Sequence, residues 1–243
     1  MDSAAPLFAG WRETMVWTCL QGHMGSVATD GRTPPESALC AVGDFCFLAG
    51  KPDPELARQA DRPILVPRTP DWEPVLRSVF GEKASPFPRY AMDGPGEFDR
   101  ERLAAYAAAL PEGYALSPIL PQHYPVLMGQ AWSKDLCGNF RDGDDFVRRG
   151  LGVIALQDGI PVAGASSYTI HDGGVEIEID TRPDQQRKGL ALSCGARLIL
   201  DCLDRGLVPS WDAHNLPSVA LAEKLGYRLR APYQAYLLDL SKS

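Results

Sequence analysis

An alternation of apolar and acidic residues in the last third of the chain predicts a half-buried strand. The run from Val175 to Ile179 alternates apolar residues with Glu176 and Glu178, which is the two-residue period of a strand with one buried side. Pro183 follows and ends the strand. Both glutamates are therefore expected on the same side of the sheet.

Apolar residues downstream recur at the period of a helix. Gly206 then supplies the left-handed position that follows a helix end. The order strand, tight loop, helix predicts an anion-binding site, because the first backbone N–H groups of a helix lack partners within it and lie at its positive end. The helical stripe consists of Ala191, Gly195, Leu198, Ile199 and Cys202.

The rest of the second half predicts more strands, turns and short helices. We expect strands at 114–119, 152–157 and 162–170, and helical segments at 124–132 and 144–149. Asp158-Gly159 predicts a hairpin turn, because both residues tolerate the positive φ that such turns require.

The first half carries strand signals of its own at 26–29, 37–48 and 64–67, each bounded by Gly, Pro or Asp. A helix at 72–80 and a strand at 89–92 follow. This order of strand, helix and strand parallels the end of the second half, as a degenerate duplicated half would. We predict two domains, a small α/β domain over 1–110 and a second domain over 111–243, joined through a helix at 99–110.

The spacing within the loop distinguishes among phosphate-binding folds. Neither the nucleoside-triphosphate loop nor the dinucleotide fingerprint is present. The run Gln186-Arg187-Lys188-Gly189-Leu190-Ala191 instead resembles the Q/R-x-x-G-x-G/A signature of the GNAT superfamily of N-acetyltransferases. The segments Trp211–Asn215, Asn215–Ser218 and Leu225–Tyr227 are similar to the fifth strand and the following helix of that family.

This resemblance implies a fold, a co-substrate and an acceptor. The fold is α/β, with a GNAT-like mixed, mostly antiparallel central sheet flanked by helices and preceded by a smaller α/β N-terminal domain. The co-substrate is acetyl-CoA, with no metal, and the acceptor is a small-molecule amine. Within the family the chain resembles the branch that includes the zwittermicin A resistance protein, in Arg89-Tyr90, Asp145-Phe146, Glu176-Ile177-Glu178, Gly189-Leu190-Ala191, Trp211-Asp212-Ala213 and Glu223–Tyr227.

The resemblance also assigns the cofactor-binding residues. The exposed backbone of Ile179 to Thr181 would pair with pantetheine as an added strand does, and the N–H near Ile179 would stabilise the oxyanion. Asn215 would cap the last helix, and Ser218 would face the cofactor. The pyrophosphate would lie on Gln186, Arg187, Lys188, Gly189, Leu190 and Ala191.

The carboxylates of the predicted strand 175–179 are the candidates for the base that deprotonates the acceptor amine. Glu178, nearer the predicted opening, is favoured over Glu176 as the catalytic residue that takes the amine proton. The alternatives are a solvated polar side of the strand and binding of a cationic substrate. Many GNAT enzymes protonate the leaving thiolate with a tyrosine in the last helix, but this chain has Ala222 at that position.

Composition excludes several function classes. A net charge of −7 and a pI of about 5.1 argue against nucleic-acid binding, although Arg182, Arg187, Lys188 and Arg197 form a local positive region. The six cysteines include no C-x-x-C pair. Without a secretory leader or a membrane-length apolar run, we expect a cytoplasmic protein that does not bind membranes.

Two functions remain open on the sequence. The first is an acetyl-CoA-dependent N-acetyltransferase that acts on an amine-bearing metabolite or antibiotic by direct transfer in a ternary complex. The second is a noncatalytic acyl-CoA-binding sensor or interaction module. The absence of the usual tyrosine, which is replaced by Ala222, favours this alternative. The acyl-chain length, the acceptor and the oligomeric state are open in both.

Overall fold

The chain forms two compact units in the computed structural model, which describes residues 3–241. The first unit is Met1–Arg89 with Pro232–Ser243, and the second is Tyr90–Ala231. This division differs from the predicted boundary at 110/111. The reason is that the helix near residue 100 belongs to the second unit, where Leu103 lies in the core and the carbonyl of Tyr106 accepts a 2.9 Å hydrogen bond from Ser193 Oγ.

The first unit begins with an antiparallel series of three strands, β1 to β3, and β4 then lies parallel to β3. The predicted extended run 37–48 is two strands here, because Gly43 adopts a φ of 54° and turns the chain. The elements are α1 Thr14–Leu20, β1 Ser26–Thr29, β2 Ser37–Val42, β3 Phe45–Gly50, α2 Pro54–Ala57, β4 Ile64–Pro67, α3 Glu73–Phe80 and β5 Ala84–Asp93, the last of which continues into the second unit.

The second unit begins within β5 and ends within β12, whose remaining residues belong to the first unit. Its elements are α4 Arg100–Ala108, β6 Tyr114–Pro118, α5 Tyr124–Met128, α6 Gly143–Arg149, β7 Gly152–Gln157, β8 Ile160–His171, β9 Gly174–Thr181, α7 Leu190–Asp204, β10 Val208–Ser210, β11 Asp212–Ala213, α8 Leu216–Leu225 and β12 Arg228–Leu238. Short 3-10 turns occupy Ala5–Phe8, Pro70–Trp72, Gly81–Lys83, Pro121–His123, Lys134–Leu136 and Pro183–Gln185.

The sheet of the second unit has the order β10-β9-β8-β7-β6. Its three pairs from β6 to β9 are antiparallel and the β9–β10 pair is parallel, so the predicted mixed, mostly antiparallel sheet is confirmed. Asp158 and Gly159 make the predicted turn between β7 and β8, with φ of 51° and 77°. In the first unit, the end of β12 pairs antiparallel with β4, with Tyr236 opposite Leu65.

Helix α7 packs its apolar side against the sheet of the second unit. A Cβ added to Gly195 would lie only 2.9 Å from Cδ1 of Ile179, so this glycine lets the helix approach β9 closely. The helix ends as predicted, because Gly206 takes the left-handed conformation with a φ of 68°. Buried residues of its apolar side include Leu190, Cys194, Leu198, Ile199 and Cys202.

None of the helices within residues 3–241 combines the length and the apolar character needed to cross a lipid bilayer.

Gly174 is expected to hold β9 and β10 together through close backbone contact. A Cβ at this position would lie 2.5 Å from the carbonyl oxygen of Val208, its partner in the parallel pair. Gly174→Ala is therefore predicted to lower the free energy of unfolding by about 1–3 kcal/mol. The control is Gly96→Ala, where an added Cβ meets nothing within 4 Å. Chemical denaturation of both variants tests this, and equal midpoints would contradict it.

Candidate active site

Strand β9 loses its neighbour on one side before it ends. The parallel strand β10 pairs only with Gly174 to Glu176, after which the chain leaves β9 and β11 pairs with β5, with Asp212 opposite Ala91. Among residues 3–241, no strand covers this side of β9 from Ile177 to Thr181. We call this stretch the open edge.

The hydrogen bonds at the two ends of β9 show which backbone groups face the open edge. Arg182 donates to the carbonyl of Val162 on the β8 side at 2.9 Å, and the carbonyl of Gly173 accepts from Val208 on the β10 side at 2.9 Å. Because the backbone groups of successive residues in a strand point to opposite sides, the N–H and C=O groups of Ile179 and Thr181 point to the open edge. An extended ligand can therefore pair with them as an added strand does.

The loop Gln186–Gly189, here called the glycine loop, follows the open edge and begins α7. Arg187 and Gly189 both hold left-handed backbone conformations, with φ of 63° and 84°. A left-handed non-glycine residue is costly and is often found at a functional site. Gly189 is the N-cap of α7 and no side chain caps this helix, so its first N–H groups are left for an anion.

Several other helices have their N-termini closed by their own side chains. Asp53 accepts hydrogen bonds from the N–H groups of Glu55 and Leu56 at the start of α2. Asp99, Asp142 and Asn215 cap α4, α6 and α8 in the same way. A carboxylate in that position occupies the N–H groups that an anion would need, and its charge repels the anion. The long helix α7 is therefore suited to anion binding where α2 is not.

Buried hydrogen bonds fix the entry to the glycine loop. Gln185 is buried, and its Oε1 accepts from the hydroxyl of Tyr114 at 2.6 Å and from Nζ of Lys188 at 2.7 Å. Arg182 Nε binds Asp184 at 2.6 Å, which lowers the pKa of that carboxyl. Sequence reasoning singled out Gln186, which is exposed, and missed Gln185 and Tyr114, which hold the loop.

The positive charges of the loop therefore differ in availability. Lys188 is held by Gln185 and Tyr114, and Arg182 is held by Asp184. Arg187 is exposed within the glycine loop. Leu190 is buried as the first residue of α7, whereas Ala191 is half-buried.

The side chains of Glu176, Glu178 and Asp180 project from the side of β9 opposite to α7, and we call them the carboxylate face. Ile179 points the other way, toward Gly195 of α7. Glu176 is only 4% exposed, whereas Glu178 and Asp180 are partly exposed beside the open edge. The predicted common side of the two glutamates thus includes a third acid that sequence reasoning missed.

The 3-10 turn Lys134–Leu136 lies on the carboxylate face. Ser166, opposite Glu178, donates to the carbonyl of Leu136 at 2.6 Å. A Cβ on Gly164, which lies opposite Asp180, would be 2.7 Å from Cδ1 of Leu136. Burial, with a smaller contribution from the negative charge of Asp135, raises the pKa of Asp180 to about 6.

A family model described as GNAT acetyltransferase matches residues 5–236. The chain belongs to the GNAT acetyltransferase family. A crystal structure of a GCN5-related N-acetyltransferase-like protein from Streptococcus suis is 44% identical, with a TM-score of 0.93 and 97% of each chain covered. The uncharacterized N-acetyltransferase YdfB of Bacillus subtilis is 25% identical, over 92% of this chain and 89% of YdfB.

A more distant GNAT structure shares the fold alone. The GCN5-related N-acetyltransferase from Kribbella flavida is 18% identical, with a TM-score of 0.55 and coverage of 90% of this chain and 91% of its own. The fold is thus retained where little of the sequence is.

The start of helix α8 in this GNAT protein includes Asn215 and Ser218, the two residues there that were predicted to bind the cofactor. Oδ1 of Asn215 accepts from the N–H of Ser218 at 2.9 Å, and Oγ of Ser218 lies 3.2 Å from Nε1 of Trp211, which donates to it. Asn215 is thus the helix cap. Ala222, where many GNAT enzymes have a tyrosine, is fully buried in the core. Tyr227 is also buried, and its hydroxyl donates to the carbonyl of Pro209 at 3.0 Å.

Two further observations concern the potential metal ligands and the cysteines of this GNAT chain. Within residues 3–241, no group of three or more His, Cys, Asp or Glu side chains is arranged to hold a metal ion. All six cysteines are buried. Burial raises the pKa of Cys137, Cys194 and Cys202 to about 12, so these three remain thiols at neutral pH and are poor nucleophiles.

Gly189→Ala is predicted to weaken binding of a pyrophosphate-bearing anion at least tenfold, with CoA as the probe, because its Cβ would enter the space in front of the first N–H groups of α7. Gly206→Ala is the matched control. Both glycines are left-handed, with φ of 84° and 68°, and both have nothing within 4 Å of an added Cβ. Both variants should lose about 1–2 kcal/mol of stability from backbone strain. Calorimetric titration with CoA tests this, and equal affinities of the two folded variants would contradict it.

Proposed function

We propose that this GNAT protein is an acetyl-CoA-dependent N-acetyltransferase that transfers the acetyl group directly to a small amine in a ternary complex. One observation carries the proposal. A single stretch of chain contains an open strand edge, a left-handed glycine and an uncapped fifteen-residue helix. The edge suits an extended amide-containing chain such as pantetheine, and the helix suits a pyrophosphate.

The proposed cofactor site follows these features in order. Pantetheine pairs with the backbone of Ile179 and Thr181, and the N–H of Ile179 also stabilises the oxyanion of the tetrahedral intermediate. The pyrophosphate lies against the first N–H groups of α7. Its proposed partners are Gln186, Arg187, Lys188, Gly189, Leu190 and Ala191.

We assign the cofactor to the second unit alone. The first unit also has a strand, β3, linked through a helix, α2, to a parallel neighbour, β4. The degenerate GNAT-like half predicted from 64–67, 72–80 and 89–92, which correspond to β4, α3 and β5, remains a prediction. Helix α2 has four residues and is capped by Asp53, which argues against a second pyrophosphate site after β3.

The acceptor in this proposal is a cationic amine that enters over the carboxylate face. Glu178 and Asp180 are partly exposed there, whereas Glu176 is buried opposite Thr169. The buried position of Glu176 favours a structural role, so Glu178 is the better of the two predicted residues for binding the cationic amine. The similarity to the zwittermicin A resistance branch remains a prediction, and it suggests amino-bearing antibiotics as acceptors.

Direct transfer is favoured over an acyl-enzyme route. The cysteines are buried, and three of them have pKa values of about 12, so they are unsuited to carry the acetyl group. The position at which many GNAT enzymes have an acidic tyrosine is the buried Ala222 here. The hydroxyl of Tyr227 already donates to the carbonyl of Pro209. A CoA thiolate is a tolerable leaving group that takes its proton from solvent.

The rival proposal is a noncatalytic acyl-CoA-binding module, and the absence of an acid at Ala222 is the observation in its favour. Both functions need the open edge and the helix N-terminus. They differ in whether an amine causes release of free CoA thiol.

Thiol release from acetyl-CoA across a panel of polyamines, aminoglycosides, amino-polyols and peptides distinguishes these functions. We expect release with one amine class, with Glu178→Gln raising the KM for that amine about tenfold, as loss of one charged hydrogen bond would. Arg77→Gln, which removes an exposed ion pair with Glu73 on α3, is the control. Saturable binding of CoA with no release from any amine would overturn the enzyme proposal.

A further inference from the structure

Asp180 differs from the other two acids of the carboxylate face in its surroundings. It lies between Ile179 and Thr181, whose backbone groups face the open edge. Its side chain projects to the opposite side of the sheet from α7, since Ile179 contacts Gly195 of that helix. Asp180 is thus the last acid before the strand ends at Thr181, next to the proposed position of the acetyl group.

The 3-10 turn Lys134–Leu136 brings a second carboxylate to this position. Leu136 lies on Gly164, the cross-strand partner of Asp180, and its carbonyl is fixed by the hydroxyl of Ser166. A side chain in place of Gly164 would displace the side chain of Leu136. Asp135, the residue before Leu136, lies close enough for its charge to act on Asp180.

We infer that Asp180 accepts the proton of the acceptor amine, and that Asp135 is a positioning residue whose negative charge acts on Asp180. This inference rests on the proposed acetyl transfer. The amine nitrogen forms a bond to the acetyl carbon, the C–S bond breaks, and CoA leaves as a thiolate. The acceptor ammonium gives one proton to the Asp180 carboxylate before its nitrogen attacks, and Asp180 later releases that proton to solvent. The nitrogen loses its second proton as the intermediate collapses, and the thiolate takes one proton from solvent. The products are the acetamide, CoA thiol and one released proton.

The charges around Asp180 are consistent with this role. The 3-10 turn carries Lys134 and Asp135, and the charge of Asp135 acts on Asp180. Glu178 lies two residues earlier on the same side of β9, while the β8 residues opposite Asp180 and Glu178, Gly164 and Ser166, are uncharged. Arg182 is the nearest cation along the chain, but it is bound to Asp184. Burial and the charge of Asp135 raise the pKa of Asp180 to about 6, near the pH at which a general base is most effective.

The pH dependence of kcat at saturating amine tests this assignment. Asp180 must be ionised to accept a proton, so kcat of the wild-type protein should rise with pH through about 6. We call this rise the limb of the pH profile. Asp180→Asn should lower kcat about a hundredfold or more and abolish that limb, while CoA binding is unchanged. Asp135→Asn should move the limb to lower pH, because it removes a negative charge that raises the pKa of Asp180.

Two controls separate this role from a structural one. Asp144→Asn, at an exposed acid of α6, should leave the limb in place. Glu178→Gln should raise the KM for the amine and keep the limb. Full activity of a CoA-binding Asp180→Asn protein, or a limb unmoved in Asp135→Asn, would overturn the inference while the proposed function stands. Absence of thiol release by the wild-type protein with every amine would overturn both.

Discussion

The shortness of β10 is the constraint on which the site depends. Its three residues hold β9 only from Gly174 to Glu176, and the chain then leaves to form β11 beside β5. The last five residues of β9 keep β8 as a neighbour but leave the other side open. Because the same strand leads directly into the glycine loop, the open edge and the uncapped end of α7 form one continuous surface for an extended anionic ligand.

The two-residue period of β9 decides which groups of the strand point to the core, to the open edge and to the acceptor side. Ile177 and Ile179 direct their side chains to the core and their backbone groups to the open edge, whereas Glu178 and Asp180 direct their side chains to the acceptor side. A slip of one residue would exchange these roles and bury the acids. The core, the proposed cofactor contact and the proposed acceptor contact are therefore fixed by one register.

Local signals made much of this predictable from the sequence. The alternation from Val175 to Ile179, the turn at Asp158-Gly159 and the stop at Gly206 depend on neighbouring residues, and the strand, the turn and the helix end are confirmed. The half-buried pattern is wrong at Glu176, which is buried. The anchoring of the glycine loop by Tyr114 and Gln185 joins residues far apart in the chain, and so does the approach of Asp135 to Asp180. No local pattern marks such contacts, nor the return of β12 to β4, which assigns the segment from Pro232 onward to the first unit.

Hydrogen exchange with and without acetyl-CoA tests most directly whether one continuous surface holds the cofactor. Acetyl-CoA should slow exchange of the N–H groups of Ile179 and Thr181 and of those from Gly189 to Ser193, which begin α7. The start of α2, where Asp53 already occupies the N–H groups, should be unchanged. Saturating ligand that protects α2, or that leaves the open edge unprotected, would contradict the account.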